Sequence, residues 1–159
     1  MLQDSLLNEI QARIDDGDDL LNADNFSAAA ELYQEALSKI PEPKYLYGIS
    51  LPAYTALGEA YFYAGDYHIA LSAFQEALKA PGGVENPLLH LRLGQAYFEI
   101  GELAHAADSL TRAYALDGTA VFEGEDEKYL SFLSTQIQFK VPGSADEKTR
   151  LDHHRNADS

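Results

Sequence analysis

The sequence predicts an all-α protein: a helical solenoid of three helix-turn-helix repeats, followed by a C-terminal capping helix. Three observations support this fold class. The same columns of small and large residues recur three times, and a turn signal lies in the middle of each copy. A proline- or glycine-containing segment then ends each copy.

The recurring columns are anchored at Gly17, Gly58 and Gly94. In each copy a large apolar residue follows the glycine by three residues, a second follows it by 16, and alanines follow it by 12 and 19. These columns hold Leu20, Tyr61 and Tyr97; Tyr33, Phe74 and Leu110; Ala29, Ala70 and Ala106; and Ala36, Ala77 and Ala113. Small residues allow two helices to cross closely, and large ones fill the space between crossings.

The turn in each copy separates two helices of similar length. The three turns are Ala23-Asp24-Asn25-Phe26, Ala64-Gly65-Asp66-Tyr67 and Ile100-Gly101-Glu102-Leu103. Glycine suits the left-handed end of a helix, and Asp or Asn can cap the helix that follows. The segments that stop the second helices are Pro41 with Pro43, Pro81-Gly82-Gly83 and Asp117-Gly118. We place the repeats at 10–43, 51–84 and 87–120.

Beyond the repeats, an apolar stripe from Tyr129 to Ile137 predicts a capping helix over about 126–138, which would cover the open face of the last repeat. Residues 1–140 are therefore expected to form a single domain. Residues 141–159 are polar and lack periodicity, so we expect a disordered tail.

The pattern resembles the tetratricopeptide repeat, whose signature runs W-x2-L-G-x2-Y, then A-x3-F, then P. The second copy matches best, with Tyr54, Leu57, Gly58 and Tyr61 followed by Ala70 and Phe74. The third copy begins with His90 in place of the aromatic residue. The first is more polar, as suits the end of a solenoid. The resemblance implies a small stand-alone scaffold of three repeats.

The copies depart from the family spacing at the segment 44–50. Gly17 and Gly58 are 41 residues apart, and Gly58 and Gly94 are 36 apart. The segment Lys44-Tyr45-Leu46-Tyr47-Gly48-Ile49-Ser50 accounts for the first excess. It is interpreted either as a packed linker or early turn of the next helix, or as an insertion whose two tyrosines contact a partner.

Composition and charge narrow the classes of function. The 159 residues carry a formal charge of −15, which disfavours nucleic acid and favours a basic protein or peptide as partner; the acid could also serve solubility alone. The chain has no cysteine and no apolar run long enough to span a bilayer. Its first residues do not form a secretory signal, so a cytoplasmic protein that does not contact membranes is the expectation.

No common catalytic or cofactor motif is present, so we expect neither enzyme activity nor a cofactor. The run Asp15-Asp16-Gly17-Asp18-Asp19 is similar to a calcium loop, but its glycine lies in the helical column and the closing acid is missing. It is interpreted as a solvated helix face. Neither the acids around Glu125 nor His153-His154 form a strong metal site, so no metal is expected.

In tetratricopeptide folds the first helix of each pair lines a concave groove that takes the ligand. The resemblance places these candidate partner-binding residues in that groove: Ile14, Asp18, Glu59, Phe62, Tyr63, Leu91, Arg92, Gln95, Phe98 and Glu99. The set combines apolar and aromatic side chains with acids, which suits a partner with basic and apolar groups. Phe62 and Phe98 could equally belong to the core.

Repeats that clamp the acidic tails of heat-shock chaperones use Lys, Asn and Arg side chains in this groove. Of the corresponding residues here, which are Ile14, Asp18, Ala56, Leu88 and Arg92, only Arg92 is of a matching type. The resemblance therefore argues against that activity. Two classes of function remain: a dedicated binder of one basic protein, such as a toxin-neutralising immunity protein, an antitoxin or a secretion chaperone, or a general adaptor or assembly subunit of a larger complex.

Overall fold

The computed structural model describes residues 1–137, and this part of the chain contains seven α-helices and no strand. The helices are α1 (Asp4–Asn22), α2 (Phe26–Ser38), α3 (Ser50–Tyr63), α4 (Tyr67–Leu78), α5 (Pro87–Glu99), α6 (Leu103–Asp117) and α7 (Glu127–Gln136). Short 3₁₀ helices span Lys44–Leu46 and Gly118–Phe122. The predicted all-α fold class is confirmed.

The six long helices pack as three consecutive pairs, α1 with α2, α3 with α4 and α5 with α6, and each pair packs against the next. In the turns within the pairs, Gly65 and Gly101 have positive φ angles of 86° and 83°, as the glycine positions predict, and Asp24 adopts the same conformation at 59°. Asn25 and Asp66 cap their helices without a side-chain hydrogen bond, which differs from our expectation.

The glycine columns lie where the helices of a pair approach most closely. A Cβ atom added to Gly17, Gly58 or Gly94 would stand 2.4 to 2.5 Å from the large residue predicted opposite it. Those large residues are Tyr33, Phe74 and Leu110. Because such distances are far below van der Waals contact, only glycine fits these crossings, as the repeated columns predict.

The segment 44–50 forms part of the domain surface. Tyr47 and Ile49 pack against the core of the first two pairs, and the Ser50 hydroxyl donates a hydrogen bond of 2.7 Å to the Lys44 carbonyl oxygen. Tyr45 and Leu46 remain exposed. The segment is thus a packed linker with one tyrosine directed inward and one outward.

Helix α7 closes the C-terminal end of the solenoid. Tyr129 and Leu133 are buried in a cluster with Leu110 and Ala113 of α6 and with Leu91 of α5. The cap predicted over about 126–138 is thus observed as Glu127–Gln136, while residue 138 and the predicted tail 141–159 lie outside the described residues. The cap also contacts α5, the first helix of the third pair.

Candidate partner-binding cleft

An open cleft of about 330 Å³ lies between the first helices of the three pairs, α1, α3 and α5. Its ten lining residues are Ile14, Asp18, Leu21, Leu51, Pro52, Thr55, Ala56, Glu59, Asn86 and Leu88. Most are apolar, Asp18 and Glu59 are acidic, and none is basic. Of the ten predicted groove residues, Ile14, Asp18 and Glu59 are brought together here.

Asp18 is positioned by the residue that fills the first helix crossing. The Tyr33 hydroxyl donates a hydrogen bond of 2.6 Å to Asp18 Oδ1. Burial and this bond to a carboxylate raise the pKa of Tyr33 well above its ordinary value, because the phenolate would be both desolvated and repelled. Tyr33 therefore acts as a fixed donor that holds the Asp18 carboxylate beside the cleft.

Glu59 lies against a buried arginine on the neighbouring helix. Arg92 Nε is 3.7 Å from Glu59 Oε1, a distance that allows an ion pair but is too long for a hydrogen bond. The Arg92 guanidinium instead donates Nη1 hydrogen bonds of 2.9 Å to Gln95 Oε1 and 2.8 Å to Glu125 Oε1. Gln95 Nε2 donates to the other oxygen of Glu125, at 3.0 Å.

Glu125, which we did not predict as part of the site, thus joins the segment before α7 to α5. The neighbouring acid Asp126 instead caps α7, because its side chain accepts a hydrogen bond from the Lys128 amide. No periodic signal marks Glu125 as the partner of Arg92, because the two residues are 33 positions apart in different elements.

The pKa of Glu59 is raised, chiefly because burial disfavours its charged form. Arg92 opposes this shift, whereas Glu125 and Asp18 add to it by repulsion. Glu59 is therefore a carboxylate whose negative charge is only partly compensated, and its side chain is 19% exposed at the cleft.

The C-terminal part of the predicted groove is covered by the protein itself. Glu99 Oε1 accepts a hydrogen bond of 2.7 Å from the Tyr129 hydroxyl and forms an ion pair of 2.6 Å with Lys128 Nζ. Phe98 makes edge contacts with the rings of Tyr129 and Phe132 at 5.5 and 5.3 Å. Both predicted groove residues are engaged by the cap, which occupies the space that a ligand would need.

Three further predicted groove residues are interior. Leu91 is fully buried, and Arg92 and Gln95 are buried beneath the Glu125 contact. The prediction that these side chains line the groove surface is wrong, because α5 has packed neighbours on almost every side. It therefore has little free face. These three side chains lie in the interior beneath the site and do not line the cleft.

The two predicted aromatic residues of α3 form a cluster beside the cleft. Phe62 lies edge-on between the rings of Tyr63 and Tyr67, at 5.7 and 5.2 Å, and packs into the core. Tyr63 is exposed, and its ring lies 5.9 Å from the Arg92 guanidinium carbon. Tyr63 is thus accessible to a partner, while Phe62 is half-buried.

Other candidate sites in residues 1–137 are structural or absent. The run Asp15–Asp19 lies within α1, as predicted, and no group of three or more His, Asp or Glu side chains among the described residues could hold a metal ion. The His90 ring Nε2 lies 2.7 Å from the Val84 carbonyl oxygen, and His105 stacks on Tyr97. None of the seven described helices combines the length and apolar content that a bilayer crossing requires.

The paired helices and the cleft along their first members define a helical-repeat scaffold, a class in which stacked repeats present one extended binding face. Residues 55–121, the second and third pairs, match the tetratricopeptide repeat family. These two pairs are therefore similar to that family. No curated protein matches the sequence.

Three solved structures with the same fold come from eukaryotes. The Hsp90 co-chaperone Cns1 from Saccharomyces cerevisiae is 18% identical with a TM-score of 0.64; the match covers 98% of this chain but only 44% of Cns1. The Sgt2 TPR domain from Aspergillus fumigatus is 18% identical, with a TM-score of 0.62 and coverages of 86% and 91%. The C-terminal TPR-containing domain of a putative FK506-binding protein from Plasmodium falciparum is 16% identical, with a TM-score of 0.68 and coverages of 95% and 93%. At these identities the likeness shows the fold alone.

Proposed function

We propose that the protein is a non-enzymatic module that binds a basic, apolar segment of a partner protein in the cleft between α1, α3 and α5. The observation that carries this proposal is the lining of the cleft, where apolar side chains surround Asp18 and Glu59 and no basic residue is present. A chain of formal charge −15 would also attract a cationic partner from a distance.

The proposal favours a dedicated binder, such as an immunity protein, an antitoxin or a secretion chaperone, that works in the cytoplasm. One of the structures with the same fold is described as an Hsp90 co-chaperone, which raises the question of acidic peptide tails as ligands. The buried contacts of Arg92 oppose that role here. Its guanidinium is already bonded to Glu125 and Gln95, so it is not free to hold a ligand carboxylate.

The test uses two labelled peptides of equal length, one alternating leucine with lysine and the other alternating leucine with glutamate, in fluorescence anisotropy titrations. We expect the lysine peptide to bind more tightly because its charge complements Asp18 and Glu59. Leu88→Ser should weaken binding by about tenfold or more, since Leu88 is 39% exposed in the cleft and contact with a partner would bury it.

The matched control is Leu103→Ser, at a residue of α6 that is 50% exposed and does not line the cleft. It should bind the lysine peptide as the wild type does. Equal affinity for the two peptides, or equal losses in the two serine variants, would show that the cleft is not the binding site.

A general adaptor or assembly subunit is the second candidate, and one observation favours it. Exposed apolar side chains are not confined to the cleft: Leu103 and Leu116 lie on α6, Ile69 on α4, and Tyr45 and Leu46 on the segment 44–50. Such residues are common on monomers when they are scattered, so this support is weaker than that of the cleft.

A further inference from the structure

We propose that the cleft takes one cationic side chain of the partner, a lysine or arginine flanked by apolar residues, with Glu59 and Asp18 as its counter-ions. This inference rests on the proposed function and specifies the anchor that the partner must carry. It predicts a requirement for one charge at one place in the ligand, which overall attraction between an acidic protein and a basic partner would not impose.

The residues around Glu59 carry an imbalance of charge. Asp18 and Glu125 both lie close enough to Glu59 to repel its charge, and among the described residues Arg92 is the cation that reaches Glu59. Three carboxylates and one guanidinium leave this partly buried cluster with a formal charge of −2. A ligand cation would neutralise charge at a place where water is partly excluded and ion pairs are less screened.

The Glu59 carboxylate also has unused hydrogen-bonding capacity on its cleft side. Arg92 is buried to more than nine-tenths and its Nη1 is bonded to Gln95 and Glu125, so it approaches Glu59 only through Nε, at 3.7 Å. Glu59 in turn accepts no hydrogen bond from any described residue within bonding distance. The Glu59 side chain is 19% exposed at the cleft, so its carboxylate oxygens can accept from a group that enters there. A ligand ammonium or guanidinium would supply that donor.

The shape of the cleft suits the rest of such a side chain. Glu59 and Asp18 line it together with Ile14, Ala56 and Leu88, so a methylene stem could contact apolar walls while its charged end meets the acids. A volume of about 330 Å³ leaves space for that side chain and an adjoining apolar residue. The cleft therefore suits a ligand segment in which one cationic side chain lies between apolar neighbours.

Binding should depend on pH through Glu59. Burial and acidic neighbours raise the pKa of this carboxyl, and a bound cation would lower it, so affinity should increase as pH rises through the pKa of free Glu59. The charged and titratable groups that face Glu59 from the surrounding elements are Asp18 on α1, Tyr33 on α2, Tyr63 on α3, Arg92 on α5 and Glu125 before α7.

The experiment is an NMR titration of the full-length protein with a short peptide that has one lysine between two leucines and blocked ends. Its matched control replaces the lysine by norleucine, which keeps most of the stem and removes the charge. We expect the lysine peptide to bind at least about tenfold more tightly to the wild type, with amide shifts at the cleft. Glu59→Gln should abolish this difference, and Asp18→Asn should reduce it.

Glu102→Gln provides the protein control, because it removes one exposed negative charge away from the cleft and should leave the preference for lysine intact. In the wild type, affinity for the lysine peptide should increase between about pH 4 and pH 7, and Glu59→Gln should flatten this dependence. If Glu59→Gln fails to fold, the lysine and norleucine affinities of the wild type decide the question alone.

The outcomes separate this inference from the proposed function. Equal binding of the two peptides, with both weakened by Leu88→Ser, would overturn the cation anchor and leave the cleft as a binding site. Absence of any peptide-induced shift at the cleft, together with failure of the longer leucine-lysine peptide to bind there, would overturn both proposals.

Discussion

At the scale of single residues, the fold depends on pairing a glycine with a large side chain at the facing position of the neighbouring helix. Each glycine of the repeated column faces a ring or a leucine side chain that occupies the volume where a Cβ would be, and that large residue is itself fully buried. The same geometry holds in all three pairs, although the large residue is Tyr, Phe or Leu. The absence of a side chain at these glycines is therefore what allows the crossings.

We predict that Gly58→Ala lowers the free energy of unfolding by about 1–3 kcal/mol, because its Cβ would stand 2.4 Å from the buried Phe74 ring. The matched control is Gly48→Ala, where an added Cβ meets no atom within 4 Å and the expected change is about 0.5 kcal/mol or less. Urea unfolding followed by circular dichroism measures both. Equal midpoints for the two variants would contradict the observed crossing.

At the scale of elements, the cap does more than shield the last pair. Tyr129 and Leu133 cover apolar residues of α5 and α6, Lys128 and Tyr129 bind Glu99, and Glu125 binds Arg92 and Gln95. The cap therefore occupies the C-terminal part of the face that the sequence predicts as a groove. It leaves the cleft between α1, α3 and α5 as the open part, which explains why the candidate site lies nearer the N-terminal end.

We expect a chain that ends after Gly118 to melt at a lower temperature than the full-length protein, or to aggregate. The truncation exposes the apolar residues of α5 and α6 that α7 covers, and it leaves Arg92 without Glu125. A chain that ends after Pro142 retains every described contact of the cap and serves as the control. Calorimetry of the three chains tests this expectation, which equal melting temperatures for the two truncations would refute.

At the scale of the whole molecule, a formal charge of −15 on 159 residues acts on both stability and binding. The ion pairs in the described part of the chain are few, and several lie at the surface, where such pairs contribute little. Repulsion among the remaining carboxylates should therefore dominate the electrostatic free energy. It would oppose the compact state and, at the same time, steer a cationic partner towards the protein.

We therefore predict opposite effects of salt on the two properties. Raising potassium chloride from about 0.01 M to 0.15 M shortens the screening length from about 30 Å to about 8 Å, so the melting temperature should rise and association with the leucine-lysine peptide should slow. Scanning calorimetry and stopped-flow anisotropy measure these quantities at matched pH. A melting temperature that falls with salt would show that favourable ion pairs outweigh repulsion.

The fold class, the order of the helices, the turns and the glycine crossings could all be predicted from the amino-acid sequence. These features depend on local periodicity and on the size of residues 16 positions apart, so a single chain displays them directly. Ile14, Asp18 and Glu59 lie at the cleft, and helical spacing alone brings such residues to one face of α1 and of α3; that they bind a partner stays a prediction.

Which part of that face stays open depends on contacts between elements that are far apart in the chain. The bond between Arg92 and Glu125 spans 33 residues and depends on the path of the non-repeating segment before α7, which follows no period. Periodicity likewise assigns Leu91, Phe98 and Glu99 to the first helix of a pair, but it cannot say that a capping helix covers them. The solvent exposure of a side chain depends on how all the elements pack together. The residue pattern of one helix therefore cannot predict it.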